Sequence, residues 1–218
     1  MSTNVIAIDG PSGSGKSSTS RGVASRLGYD YLDTGSMYRA MAWAMLQRGV
    51  DTADAAAIAE AARDVVLEVG TDPAAPAIRA DGVDVSGPIR ETEVTDVVSP
   101  VAAVPEVRAQ LVDLQRATIA AAPGGIVVEG RDIGTTVAPD APVKIFLVAD
   151  PVARARRRAA ELGHDDDAAM QAALAERDRI DSTRAASPLA QADDAVVVDG
   201  TDLTLDEVID RIVALARG

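Results

Sequence analysis

Apolar residues fall in short blocks along the chain, separated by polar, glycine-rich and helix-patterned stretches. Residues 5–8 (Val-Ile-Ala-Ile) form an apolar run that stops at Asp9-Gly10. Such a run reads as a strand buried on both faces. A Gly/Ser-rich turn follows, then a helical stretch over 16–27, a short strand over 29–32 and a helix over 36–47. A further helix fits 53–64. The pattern then changes. Residues 65–89 hold the turn-rich Asp72-Pro73-Ala74-Ala75-Pro76 and place Asp81-Gly82 between alternating positions, a hairpin signal. This stretch is expected to be a small antiparallel insertion. Pro105 opens a helix with Val107, Leu111 and Leu114 on one face, and Pro123-Gly124-Gly125 closes it. Residues 126–128 and 143–148 read as buried strands. Asp150-Pro151 joins a capping side chain to a proline at the first helical position, for a helix ending near Gly163. Asp165-Asp166-Asp167 opens another, running to about Asp181. Residues 195–198 are a fifth strand. Thr204-Leu205-Asp206-Glu207 is a capping box for a last helix, with Leu205, Val208, Ile209, Ile212 and Val213 expected inward.

Strands alternating with helices predict an α/β fold: a five-stranded, mostly parallel sheet flanked by helices. No internal repeat or low-complexity linker divides the chain, so 1–218 reads as a single domain. There are no cysteines, which excludes disulfides, thiolate metal sites and a cysteine nucleophile. The single histidine, His164, excludes a multi-histidine metal site and leaves little room for a histidine-based triad. The first ten residues lack a basic region and a long apolar stretch, and no run approaches the roughly 18 apolar residues of a membrane helix. A cytoplasmic protein with no membrane partner is expected. The net charge of −13 argues against nucleic-acid binding. Nothing in the chain demands more than a monomer.

Gly10-Pro11-Ser12-Gly13-Ser14-Gly15-Lys16-Ser17 matches the phosphate-binding loop G-x-x-x-x-G-K-[ST], with a strand before it and a helix after. Its glycines let backbone N–H groups wrap a phosphate, and the helix N-terminus adds positive partial charge. Lys16 would span the β- and γ-phosphates, and the Ser17 hydroxyl would ligate Mg²⁺. One of only two lysines stands at the required place; the other 19 of the 21 basic residues are arginine. The Asn-Lys-x-Asp element by which GTPases read guanine is absent, and the chain is short for an ATPase motor.

Two clusters lie at further strand ends, where open α/β sheets bind ligands. These are Asp33-Thr34-Gly35-Ser36-Met37-Tyr38-Arg39 and Glu129-Gly130-Arg131-Asp132. Arg39 taken alone reads as a surface residue and Arg131-Asp132 as a plain ion pair, but two such sites at equivalent strand ends favour a shared acceptor pocket. A third cluster, Arg177, Asp181 and Arg184, would share one helical face. It reads either as an i,i+4 salt bridge or as a binding face. Arg154, Arg157 and Arg158 share a face of the preceding helix, with Arg156 beside them. They suit a donor triphosphate, or else form an ordinary solvated basic helix.

Taken together, residues 8–16, 32–39, 130–135 and 139–147 and the Arg177/Asp181/Arg184 helix resemble the bacterial-type cytidylate kinase family over essentially the whole chain. The resemblance implies a P-loop kinase fold with a monophosphate-binding insertion within 60–105 and a helical lid within 150–185. It implies transfer of the γ-phosphate of ATP to CMP or dCMP, giving ADP and CDP or dCDP, in pyrimidine nucleotide metabolism, with ATP and Mg²⁺ bound. Gly10, Pro11, Ser12, Gly13, Ser14, Gly15, Lys16, Ser17, Ser18 and Arg157 are implied on the donor side. Thr34, Ser99, Arg108 and Asp132 are implied around the cytosine ring, with Tyr38 beside the acceptor. Arg39, Arg131 and Arg184 are implied on the acceptor phosphate, and Arg177 and Asp181 on the sugar. Lys16, Arg131, Arg157 and Arg184 would stabilise the transferring group. Ser17-Ser18 stands where relatives often carry Gly-Thr, which leaves open which hydroxyl meets Mg²⁺. Two rivals predict otherwise: a P-loop kinase with another small acceptor, or an ATP-binding regulatory protein without transfer.

Overall fold

The computed structural model describes residues 4–162, 167–183 and 187–218. The chain runs β1 (Val5–Asp9), α1 (Lys16–Leu27), β2 (Asp30–Asp33), α2 (Thr34–Gln47) and α3 (Ala55–Ala62). The insertion follows as β3 (Leu67–Val69), β4 (Ile78–Ala80) and β5 (Val83–Asp84), with a 3-10 turn at Pro88–Arg90. Then come α4 (Thr92–Ala103), α5 (Pro105–Ala120), β6 (Ile126–Gly130), a π-type turn at Ile133–Val137 and β7 (Val143–Val148). α6 (Pro151–Leu162), α7 (Asp167–Thr183), β8 (Val196–Asp199) and α8 (Leu205–Arg217) complete the chain.

The main sheet has the order β2-β6-β1-β7-β8, and every pairing in it is parallel. All five carboxyl ends therefore share one edge, with β1 at the centre. The period of two along β1 divides its residues between two cores. Val5 and Ala7 face a core built on α2 to α5 and the insertion. Ile6 and Ile8 face a smaller one against α1 and α8. Only one phenylalanine and one tryptophan occur. Valine, alanine and isoleucine make up most of the first core, and the adaptable Met37, Met41 and Met45 line it at i, i+4 and i+8 of α2.

Local chemistry sets the boundaries. Asp33 caps α2 by accepting from the Ser36 N–H at 3.0 Å, so this helix begins at Thr34, two residues before the expected start. Thr204 and Glu207 form the expected capping box of α8. Leu205 is a correction: it is 48% exposed on the first turn, and Val208, Ile209, Ile212 and Val213 carry the buried face. Asp81 and Gly82 both have positive φ (50° and 78°), which forms the expected hairpin between β4 and β5. Helix α4 was not legible in the sequence, because Pro100 interrupts its pattern. The insertion is tied to β2 by the Tyr31 N–H donating to the Thr71 carbonyl at 2.8 Å, and to α1 by Arg21 Nε donating to the Pro73 carbonyl at 2.9 Å.

Gly10 leaves β1 so close to β7 that a Cβ there would lie 2.1 Å from the Leu147 carbonyl oxygen. Backbone, not a flexible side chain, occupies that space. Gly10→Ala is expected to destabilise the fold by about 3 kcal/mol or more, read as a lower urea midpoint with unchanged slope.

Candidate active site

The loop from Gly10 to Gly15 turns the chain from β1 into α1. Gly15 supplies the left-handed residue before the helix (φ 90°). No side chain caps α1, so its first N–H groups are left for a ligand. Lys16 is 7% exposed and folds back over the loop. Its Nζ donates to the Pro11 carbonyl at 2.6 Å and to Ser14 Oγ at 3.4 Å. Burial, with Arg131 nearby, lowers its pKa to about 7, against the pull of Glu129, Asp9 and Asp178.

Two buried carboxylates support this edge. Asp9 accepts from the Ile133 and Gly134 N–H groups at 2.9 and 2.8 Å. It thereby fixes the turn that follows Arg131 and Asp132. Burial raises its pKa to about 6, opposed by those two hydrogen bonds. Glu129 accepts from the Tyr31 hydroxyl. Burial, then the nearby Asp33, raises its pKa to about 7. Thr34 Oγ1 donates to the Glu129 carbonyl at 2.8 Å, which locks α2 to β6.

A cavity of about 530 Å³ opens at this edge. From the phosphate-binding loop and the start of α1 it is lined by Ser12, Gly13, Gly15, Lys16, Ser17 and Ser18. From other elements it is lined by Thr34, Tyr38, Arg39, Ser99, Arg131, Asp132, Arg177 and Asp181. Sequence positions far apart thus meet around one space. Arg39 holds the Ile89 carbonyl and Thr95 Oγ1, both at 2.9 Å. Burial, then Arg177, Arg158 and Arg90, lowers its pKa to about 9. Burial, then Arg131, lowers that of Arg177 to about 10. These guanidiniums repel one another, and both line the cavity. Arg108 and Asp132 form a buried pair at 2.5 Å, with side chains 4% and 6% exposed. Arg108 lies 5.2 Å from the Tyr38 ring centre, behind Asp132 and away from the cavity lining.

Arg157 also stays off the cavity lining. Its Nη2 donates to the Gly200 carbonyl at 2.6 Å. Its other terminal nitrogen comes within 3.9 Å of where a Gly15 Cβ would stand, so it flanks the loop from outside. Arg158, one residue on, lines the cavity instead. Arg184 lies outside the described residues, as does His164. The sequence reading assigned no role to Asp9, Tyr31 or Asp178, and none to Arg154 individually. Asp9 and Asp178 stand directly beside motif residues, and that adjacency was the available signal.

Comparison with known proteins gives one answer. The family model described as cytidylate kinase matches residues 6–218. The cytidylate kinase of Streptomyces griseus subsp. griseus is 59% identical over 217 residues, covering 100% of this chain and 94% of that protein. That of Nocardia farcinica is 55% identical over 212 residues (95% and 91% covered). That of Corynebacterium glutamicum is 51% identical over 218 residues (98% and 94%). Among solved structures, an uncharacterized protein from Eubacterium ventriosum aligns over 99% of both chains with a TM-score of 0.54 at 12% identity, a likeness of fold.

Proposed function

Since the chain belongs to the cytidylate kinase family, we propose that the cavity at the sheet edge is where it moves the γ-phosphate of ATP onto CMP or dCMP, giving ADP and CDP or dCDP. One observation carries this reading. A phosphate-binding loop with its buried lysine and a set of part-buried arginines from other elements line a single cavity. A protein that only binds ATP has no use for a second phosphate subsite.

On the donor side the loop N–H groups and Lys16 hold the β- and γ-phosphates. On the acceptor side Arg39 and Arg131 hold the monophosphate, and the family resemblance assigns Arg184 to the same phosphate. Arg177 and Asp181 hold the sugar. Asp132 accepts from the cytosine amine, and Arg108 holds that carboxylate in place from behind. Thr34, Ser99 and Tyr38 complete the acceptor wall, and Arg157 flanks the donor loop.

The acceptor phosphate is its own nucleophile. With a second pKa near 6, as for other phosphate monoesters, it is mostly a dianion at neutral pH and needs no general base. The work left to the protein is to bring two polyanions together and stabilise the charge that develops between them. The part-buried arginines and the buried Lys16 do this from positions held by hydrogen bonds to the protein. Ser17, Ser18, Asp33 and Glu129 are all among the residues that line the cavity. This oxygen-only donor set suits a hard cation such as Mg²⁺, with Ser17 or Ser18 as direct ligand. When bound, the ion neutralises charge on the donor phosphates. Packing of α6 and α7 over the cavity keeps water from competing with the acceptor.

The repelling arginines predict a thermal signature. CMP at about 100 times its Kd is expected to stabilise the protein by about 2.7 kcal/mol, or roughly 5–10 °C in Tm. Cytidine at the same concentration is expected to give little shift. Equal shifts from the two would remove the phosphate from the recognition and overturn the assignment of the arginine cluster.

A further inference from the structure

Every polar group of Ser12, in the middle of the donor loop, is held by a partner from outside that loop. Its N–H donates to Asp178 Oδ1 at 2.9 Å. Its carbonyl accepts from Arg154 Nη1 at 2.8 Å. Its hydroxyl accepts from Arg131 Nη2 at 2.8 Å. Two carboxylates of α7 complete the arrangement: Asp178 pairs with Arg154, and Asp181 Oδ2 accepts from Arg131 Nε at 3.0 Å. Asp178 and Asp181 are three residues apart and so share a helix face. Ser12 is 4% exposed and Arg154 9% exposed, so these charge-assisted bonds are shielded from water.

We propose that Asp178 is a positioning residue for phosphoryl transfer: through Ser12 it holds the donor loop and Arg131 as one unit under the lid helix. The assignment of donor and acceptor in this statement rests on the function proposed above. The physical case is direct. A loop carrying Gly10, Gly13 and Gly15 has many conformations to lose when its N–H groups must converge on a phosphate. Asp178 fixes it from both sides of one residue, at the N–H directly and at the carbonyl through Arg154. The hydroxyl of the same residue then sets where Arg131 sits. The donor loop and an acceptor-side arginine are thereby held in register by one residue between them, which is what an in-line transfer needs. A carboxylate that served only to neutralise Arg154 would have no reason to accept from the loop backbone as well.

Two variants of the full chain decide the matter, each measured for Kd of MgADP by calorimetry, KM for CMP and Tm. Asp178→Asn is expected to weaken MgADP about tenfold, the size of one charge-assisted hydrogen bond, alongside a lower Tm from the lost counter-charge on Arg154. Ser12→Ala, which removes only the hydroxyl arm, is expected to raise KM for CMP by more than it raises Kd for MgADP. MgADP affinity within about twofold of wild type in Asp178→Asn, whatever its Tm, would reduce Asp178 to a counter-charge and overturn the proposal. Should that variant fail to fold, Ser12→Ala decides: an unchanged KM for CMP overturns the coupling, and a selective rise supports it. If wild-type protein does not phosphorylate CMP at all, the acceptor assignment fails, while the MgADP measurement still tests the hold on the donor loop.

Discussion

Lys16→Ala is expected to lower turnover by about a hundredfold to a thousandfold while leaving a folded protein, as removal of a preorganised charge from a dry transition-state site does elsewhere. The two halves of this expectation have one cause. Burial, with Arg131 beside it, lowers the Lys16 pKa to about 7. Between pH 7 and the ordinary lysine value near 10.5, the folded chain then holds fewer protons here than the unfolded chain. This group's contribution to stability therefore rises with pH across that window and is unfavourable at its lower end. Removing the ammonium consequently costs the fold little, and Tm should hold or rise at pH 7. The cost appears when polyphosphate arrives and no charge meets it. The same reasoning predicts proton uptake. Phosphate oxygens raise the Lys16 pKa, so MgATP binding at pH 8 should take up a proton in the wild type and markedly less in Lys16→Ala. Calorimetry in two buffers of different ionisation enthalpy measures this. Near-normal turnover of Lys16→Ala would refute the role of the loop.

The second large effect is expected at Asp132. Its carboxylate lines the cavity, while its partner Arg108 is buried behind it at 2.5 Å. Asp132→Ala should do two things at once. It removes the acceptor for the cytosine amine, and the preference for CMP over UMP in kcat/KM is expected to fall about a hundredfold, with MgATP affinity far less affected. It also strands a buried guanidinium, which costs about 3–5 kcal/mol and lowers Tm sharply. The double variant Asp132→Leu with Arg108→Met separates the two effects. With neither charge present the fold should regain most of its stability, since buried pairs replaced by apolar groups are often neutral. Base discrimination should stay lost. A double variant that recovered both stability and CMP preference would show that the pair is structural and that the base is read elsewhere.

What could be read from the sequence was what is local in the chain. Strand, loop and helix of the phosphate-binding loop are contiguous, so its identity and context were legible together. Arg39, Arg131 and Arg177 stand in short motifs at strand ends or on one helix, and the parallel sheet brings those ends to one cavity. The departures arise where long-range packing decides. Ser12 meets Asp178 across 166 positions and Arg154 across 142, and no local pattern encodes such pairings. The buried hydrogen bond between Tyr31 and Glu129 spans 98 positions. The capping box of α8 was read correctly, but Leu205 lies on the outer side of its first turn, because helical phase rather than hydrophobicity alone decides burial. Pro100 hid α4, since a proline within a helical pattern normally marks its end.

The central claim is that one cavity joins a donor triphosphate to a cytosine monophosphate. Its most direct test is ADP formation from MgATP with CMP, dCMP, UMP, AMP and GMP in turn, against a control without acceptor. Strong stimulation by CMP and dCMP, with little from AMP or GMP, is the predicted result. No stimulation by any of the five would contradict it, and would leave the arginine cluster facing an acceptor of another kind.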